Sequence, residues 1–498
     1  MALESIFKRD DIRGIYPKEI NGDVAAVVGR ALVKQLRKQF PGSITVVVGH
    51  DCRMGSVEVA QGLMRGIQEE RGRIIDLGLV STEHVYFACG EHADDCTAGA
   101  MVTASHNPKE YNGIKFLYSG CLPFTAEDLK ELRLQSEREL VRRKFAIDFD
   151  EYAEKMIALA GFERRAKGKK TPFRLVVLAG NGMGGMGFEP IAKRLEEKGL
   201  ETEILDGEPD GTFPQGVPNP LLPEFIKRLS KEVTARKADL GVVFDGDADR
   251  AGFVDASGNE VIPSQTLALI AQRKVAGKKK AIVMRNLCCS QLIRDIFAED
   301  ESVEVVDTPV GHGRIKQLMR SDAFKGRAVF AGEHSGHFFY PEFHYVDSGV
   351  LTALNMLAIA WKAKEEGKSL EEILAPWREN YVWSGERNFT MADQEAVQKA
   401  LLAVWKKYRQ DGVVRYGVRQ DDEIGAQRVF VCEDDYNAET LAAPDLKMVC
   451  DNGTSGWWFV LRPSGNEPKL RLNVEAWGAG AAKKCASLTK EIEAILKK

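Results

Sequence analysis

The segment DGDADR, residues 245–250, sets three aspartates at alternate positions, so Asp245, Asp247 and Asp249 converge on one side of a short extended turn. Gly246 and Ala248 are small and leave that side open. Hard divalent cations take oxygen ligands, and Mg2+ suits a few carboxylates with a phosphate oxygen. A calcium EF-hand also begins D-x-D-x-D, but it needs Gly at its sixth position and Glu at its twelfth. Here those positions hold Arg250 and Ala256. A solvated acidic turn is the bland alternative. It conflicts with the apolar run LGVVF just before, since carboxylates packed together repel unless a cation lies between them. Arg250 can grip a phosphate or a sugar with two N–H groups.

Three further segments carry polar chemistry. TASHNP (103–108) offers Ser105, His106 and Asn107, either as a turn or as a nucleophile with phosphate contacts. A Ser-His-Asp hydrolase is a poor reading, because no G-x-S-x-G elbow is present. GEHSGH (332–337) supplies Glu333 as acceptor and Ser335 as donor and acceptor, an inventory that suits vicinal sugar hydroxyls. Its two histidines lack the HExxH pattern of a zinc site. RPSGNEPKLR (462–471) places Arg462, Ser464, Gly465, Asn466, Lys469 and Arg471 around a turn, which reads as a phosphate cradle or as a basic edge-strand loop.

One motif competes. In GNGMGGMG, Gly182, Gly184 and Gly187 satisfy G-x-G-x-x-G, and Asp206 follows where a ribose-binding acid belongs. An NAD-dependent dehydrogenase is therefore the rival from another class, although it leaves the other four segments unexplained.

The elements that must position these loops alternate for about three quarters of the chain. SITVVVGHD (43–51) is a β-branched run expected as a buried parallel strand. Val59, Leu63 and Ile67 mark one face of a helix, and RIIDLGL returns as a strand. TAGAMVTAS, KADLGVVF and RAVFAG each run as a strand into one of the polar loops. Open α/β sheets bind ligands at the carboxyl ends of their strands, so chemistry is expected there. TAEDLKELRLQSERELVRRKF and DEYAEKMIALAGF read as two helices. From about residue 373 the pattern turns to α+β, with SLEEILAPW as a hinge or linker.

Composition excludes several classes. The chain has 498 residues, a net charge of -4, 44% hydrophobic and 29% charged residues. That balance argues against nucleic acid as a partner. No stretch reaches the roughly 18 apolar residues of a membrane helix. The start, MALESIFKRDDIRG, is charged where a signal peptide has its apolar core. The nine scattered cysteines lack CxxC or metal-ligand spacing. A reducing cytoplasm is expected.

Taken together and in order, TASHNP, DGDADR, GEHSGH and RPSGNEP resemble the α-D-phosphohexomutase family, nearest its phosphomannomutase/phosphoglucomutase branch. The resemblance covers essentially the whole chain. It extends to FKRDDIRGIYP, VGHDCRMGS, NGIKF, PDGTFPQGVPNP and TPVGHGRIK. It implies an α/β fold of three similar mixed-sheet domains, expected over 1–160, 161–258 and 259–372. A smaller C-terminal α+β domain over 373–498 would complete one central cleft.

It implies interconversion of hexose 1-phosphate and hexose 6-phosphate through a phosphoserine at Ser105 and a hexose 1,6-bisphosphate. Mg2+ would be held by Ser105, Asp245, Asp247 and Asp249. Lys115, Arg13 and His312 would handle protons, and a lysine acting as base needs a pKa below its usual value of about 10.4. Arg250, His106, Asn107, Glu333, Ser335, Arg462, Ser464, Gly465, Asn466 and Arg471 would bind substrate. Small sugar phosphates are the implied partners, with a monomer or homodimer as the assembly. The sequence departs from the family pattern at His334, Gly216, Asn466 and Arg285. The first of these bears on the sugar, and phosphoglucosamine mutase is the alternative to mannose and glucose.

Overall fold

The strand Thr45–His50 runs parallel to Glu70–Leu79 on one side and to Ala98–Val102 on the other. Buried on both faces, it needs apolar side chains almost without interruption, which explains its valines. Tyr111–Tyr118 folds back antiparallel on Ala98–Val102, and Ile12–Ile15 pairs with that returning strand, so the six-stranded sheet is mixed. The helix Ser56–Glu69 buries Val59, Leu63 and Ile67 as its spacing requires.

The structure is a computed structural model that describes residues 5–133, 139–144, 147–162, 172–410, 412–421, 423–424, 426–432, 445–463 and 468–497. The described chain divides into two compact units. One comprises Met1–Ile270 with Ser335–Glu371, the other Ala271–His334 with Glu372–Lys498.

In the first unit, a second sheet sets Phe173–Leu178 parallel to Leu200–Leu205 and to Leu240–Phe244. Leu240–Phe244 then pairs antiparallel with Ala251–Asp255. The helix Gly349–Glu365 and the hairpin of Phe338–Tyr340 with Val346–Asp347 also belong to this unit. In the second unit, Ala281–Asn286 lies parallel to both Val303–Thr308 and Ala328–Gly332. A seven-stranded antiparallel sheet follows, built around Gly456–Pro463 and Lys469–Trp477. In WWFVL, Trp457, Phe459 and Leu461 turn toward the helices Gln394–Tyr408 and Ala481–Leu496, while Trp458 and Val460 pack with Leu287 and Cys288. Both faces are covered, so the strand is apolar throughout.

Two expectations change. The first predicted helix ends at Arg133, and ELVRRK forms an edge strand, Glu139–Lys144, parallel to Glu70–Leu79. Pairing with a waiting sheet edge outweighs local helix preference there. SLEEILAPW is no open linker, because most of it lies within the helix Leu370–Asn380, where one unit gives way to the other.

Candidate active site

Ala98–Val102 ends two residues before a turn that holds Ser105 at φ +53°, a left-handed conformation uncommon for a residue with a side chain. Thr103 stabilises that turn by accepting from the Ser105 amide through its hydroxyl at 2.9 Å. In the second sheet, Leu240–Phe244 delivers the aspartate turn, and there Ala248 is left-handed at φ +64°. The two turns meet. Ser105 Oγ lies 3.4 Å from both Asp245 Oδ2 and an Arg250 guanidinium nitrogen. Gly246 permits this approach, since a Cβ there would sit 2.6 Å from the Ser105 carbonyl oxygen.

The aspartate turn is fixed on several sides. Gly349, at the start of its helix, donates to the Ala248 carbonyl at 3.2 Å. Arg250 forms a β-bridge with His337, and Arg250 Nε donates to Asp245 Oδ2 at 2.8 Å. Lys115, on Tyr111–Tyr118, reaches Asp247 Oδ2 at 2.7 Å and Asp249 Oδ2 at 2.8 Å. Thr82 Oγ1 donates to Asp247 Oδ2 at 2.8 Å.

Carboxylate oxygens of the three aspartates lie within 4.8 Å of one another. Asp247 Oδ1 and Asp249 Oδ1 are buried with no hydrogen-bond partner. Buried polar atoms are normally satisfied, so two orphaned carboxylate oxygens beside a third carboxylate fit a hard cation.

The charges follow from these contacts. Burial opposes the charge on Lys115, but Asp247 and Asp249 outweigh it and raise its pKa. The geometry therefore gives Lys115 as a paired cation, opposite to the lowered pKa a base would need. Burial pushes Asp245 upward, with Arg250 opposing and the neighbouring aspartates adding to the rise. The positive charge of Arg250 holds the His106 imidazole, which is exposed, below its usual range. Arg13 is paired with Asp11 at 2.7 Å and points a second N–H at Asn107 Oδ1, 3.4 Å away.

The first unit thus brings together Ser105, His106, Asn107, Lys115, Arg13, Arg250 and the three aspartates. Ser335 also lies in this unit, half-buried. Sequence reasoning missed three of its polar neighbours. His337 Nδ1 lies 3.0 Å from Asp347 and 3.7 Å from Asp249, and their charges raise its pKa against the effect of burial. Thr82 is the third. His337 was visible in GEHSGH, but nothing in HYVDSG or LVSTEH marks Asp347 or Thr82 as its companions.

In the second unit, Glu333 is buried at the end of Ala328–Gly332. Its Oε1 accepts from Asn286 at 3.0 Å and from the Gly311 amide at 2.9 Å, next to half-buried His312. His334 is buried and meets the Trp383 ring edge-on at 4.3 Å, and burial lowers its pKa to about 4. Arg462 and Arg471 face each other in register across two strands. Ser464, Gly465 and Asn466 lie outside the described residues. Arg285 is committed elsewhere, to Asp307 at 2.7 Å and to the Ser290 carbonyl at 2.5 Å.

The glycine-rich loop 180–187 has a packing role. A Cβ on Gly182 would lie 2.9 Å from the Gly246 carbonyl, so the loop's smallness serves the aspartate turn. Asp206 is paired with Arg228 at 2.5 Å. The dehydrogenase alternative loses both its features to these contacts.

Four family profiles match in succession. Those for alpha/beta/alpha domains I, II and III of phosphoglucomutase/phosphomannomutase match residues 4–142, 150–258 and 263–381, and the C-terminal domain profile matches 386–492. A protein of Xanthomonas campestris named "Phosphohexose mutases" is 33% identical over 99% of both chains. A Vibrio cholerae phosphomannomutase is 30% identical over 94% of both. The crystal structure of a phosphoglucomutase/phosphomannomutase family protein from Burkholderia thailandensis superposes with a TM-score of 0.76 at 25% identity, covering 99% of this chain and 97% of that one. The chain belongs to the phosphoglucomutase/phosphomannomutase family, the α-D-phosphohexomutases. It is an intramolecular phosphotransferase, an isomerase by reaction, with three mixed-sheet α/β domains and a C-terminal sheet domain. No helix among the described residues is long and apolar enough to cross a membrane.

Proposed function

We propose that the protein interconverts hexose 1-phosphate and hexose 6-phosphate, of mannose, glucose or both, with Ser105 carrying the phosphoryl group. The observation behind this reading is the meeting of Ser105 Oγ with Asp245 and Arg250, beside two orphaned carboxylate oxygens. Phosphoryl transfer depends on positioning and charge neutralisation more than on covalent chemistry by the protein. Asp245, Asp247 and Asp249 would hold Mg2+, with an oxygen on Ser105 as a further ligand. When bound, the ion supplies charge neutralisation at the phosphoryl oxygens.

The chain's own groups do the rest. Arg250 and Asn107 bind phosphoryl oxygens, and His106, held neutral, shapes the loop. In the resting pair Lys115 keeps its proton at Nζ, the form a donor to the departing Ser105 oxygen needs, and its pairing with Asp247 and Asp249 must loosen for that proton to be given up. Arg13 adds a fixed positive charge, and His312 is the proton acceptor for one substrate orientation. Glu333 and Ser335 read sugar hydroxyls. Arg462 and Arg471, with Ser464, Gly465 and Asn466, hold the phosphate that is not reacting. Arg462 and Arg471 stand opposite each other on paired strands, with Glu386 3.8 Å from Arg471 as an ion-pair partner, which supports reading them as a pair that can share an anion.

The sugar phosphate turns over between the two transfers as hexose 1,6-bisphosphate, which also primes Ser105. The four domains are proposed at 1–160, 161–258, 259–372 and 373–498, in the cytoplasm, as monomer or homodimer. The test is intact-mass spectrometry with assays on glucose 1-phosphate, mannose 1-phosphate and glucosamine 1-phosphate, using Mg2+ and a trace of bisphosphate. Active wild-type enzyme carries one phosphoryl group and Ser105→Ala carries none, with activity abolished. A phosphoryl group that persists in Ser105→Ala refutes the carrier. Preference for glucosamine 1-phosphate would transfer the substrate assignment to that sugar.

A further inference from the structure

Ser105 stands in a conformation its side chain disfavours by about 1–2 kcal/mol, so something must hold the turn. The structure points to Arg53. From the VGHDCRMGS segment its guanidinium, almost wholly buried, reaches the carbonyls of Ser105 at 2.5 Å, Asn107 at 2.7 Å, Pro108 at 2.9 Å and Tyr111 at 3.2 Å. Four backbone carbonyls of one loop thus converge on one side chain. Asp51 anchors the arginine: its Oδ1 accepts from the Arg53 amide at 3.0 Å and from Ser56 Oγ at 2.5 Å, and its Oδ2 lies 3.4 Å from Arg53 Nε.

The motif PDGTFP closes the assembly from the other side. Phe213 places its ring 5.2 Å from the guanidinium carbon, within cation–π range. Gly211 makes a β-bridge to Arg53, and a Cβ there would fall 1.9 Å from the Cys52 carbonyl oxygen. Only glycine fits that approach. The Ser105 carbonyl is therefore gripped by Arg53 and overlain by Gly246, which is on the aspartate turn. One guanidinium fixes the nucleophile's loop, and the residues that cover it belong to the same sheet domain as the aspartates.

We propose that Arg53 is a positioning residue for phosphoryl transfer: its grip on the 105–111 carbonyls, seated by Asp51 and Phe213, sets the direction of Ser105 Oγ. It touches no reacting atom in this structure. The proposal rests on Ser105 being the phosphoryl carrier. Lysine in its place keeps the charge but has no planar fork and cannot bind the carbonyls in the same way. Misplacing a reacting group by about 1 Å costs up to about 10²-fold in rate.

The test is single-turnover phosphorylation of full-length enzyme by glucose 1,6-bisphosphate with Mg2+, followed by intact mass, together with steady-state kinetics on glucose 1-phosphate. Arg53→Lys should lose about 10²-fold in both phosphorylation rate and kcat, while KM and the Mg2+ concentration for half-maximal activity stay at wild-type values. Added guanidinium ion should restore part of the rate to Arg53→Ala, in proportion to its concentration. An Arg53→Lys enzyme that is phosphorylated at the wild-type rate overturns the proposal, as does a loss expressed mainly in KM. If Arg53→Lys does not fold, Phe213→Leu takes its place, with a smaller fall in kcat at unchanged KM expected and an unchanged phosphorylation rate overturning. Wild-type enzyme that takes up no phosphoryl group refutes the Ser105 assignment and the clamp with it. A phosphorylated wild type with an unimpaired Arg53→Lys refutes the clamp alone.

Discussion

Each unit buries a cluster of charges, and the two clusters are built to opposite rules. In the first, three aspartates face Lys115 and Arg250, yet Asp247 and Asp249 each keep an oxygen without a hydrogen-bond partner. In the second, Asp307 sits between Arg285 at 2.7 Å and Arg294 at 2.9 Å, one carboxylate oxygen for each. Nearby, Lys447 donates to the Leu287 carbonyl at 2.7 Å and lies over the Trp458 ring at 4.6 Å. Leaving a buried carboxylate oxygen without a hydrogen bond costs about 1–3 kcal/mol or more, so two such atoms beside a third carboxylate fit a bound cation. Buried charge alone therefore does not mark a site. Unfinished pairing does.

That contrast can be broken at several points. The largest effect is expected from Asp247→Asn, which removes a proposed cation ligand. Turnover should fall about 10³-fold, in line with loss of several kcal/mol of charge stabilisation. Mg2+ should also lose most of its thermal stabilisation, which at a hundred times Kd is worth about 2.7 kcal/mol in an intact site. Wild-type turnover in this variant would erase the distinction between the clusters. Asp307→Asn should do the reverse, costing up to about 3–5 kcal/mol of stability by stranding buried Arg285, with kcat of the folded fraction preserved. Urea unfolding beside kinetics separates the two outcomes.

A smaller effect concerns Lys447. Burial first, then Arg285, lowers its pKa to about 8, below the usual value of about 10.4. The unfolded chain then binds more protons than the folded one between those values, so stability rises with pH across that window. Lys447→Met should remove this rise, and stability curves at pH 7.5, 9 and 10.5 would show it. A variant with the wild-type slope would place the titration elsewhere. The smallest effect is expected at Arg471→Gln, which removes both the cross-strand repulsion with Arg462 and the 3.8 Å ion pair with Glu386. The two losses oppose each other, so stability without phosphate should change by less than about 1 kcal/mol while KM rises. An unchanged KM would argue against an anion cradle.

Much of the first cluster was legible in the chain. Alternate aspartates after an apolar strand point to an acidic cluster fit for a cation, and TASHNP after another strand announces a loop at a sheet's carboxyl edge. The partners were not legible, because they come from distant segments. Thr82 meets Asp247 across 165 positions and Lys115 meets it across 132. The predicted helix through ELVRRK failed for a related reason, since a sheet edge is a non-local partner that local preference does not contain. The second cluster gave no motif at all. Arg285 stood out in the chain only as a departure from the family pattern, and the fold commits it to Asp307 and the Ser290 carbonyl.

The sequence by itself determined the alternation of strands and helices, the four polar loops and the family they share. These depend on residue type and short spacing, which the chain carries locally. Tertiary structure decided the state of each charge. It made Lys115 a paired cation, left two aspartate oxygens without a hydrogen bond, and brought Arg53 onto the Ser105 loop. Protonation, satisfaction and strain depend on which groups meet after burial, and those meetings exist only in the folded chain.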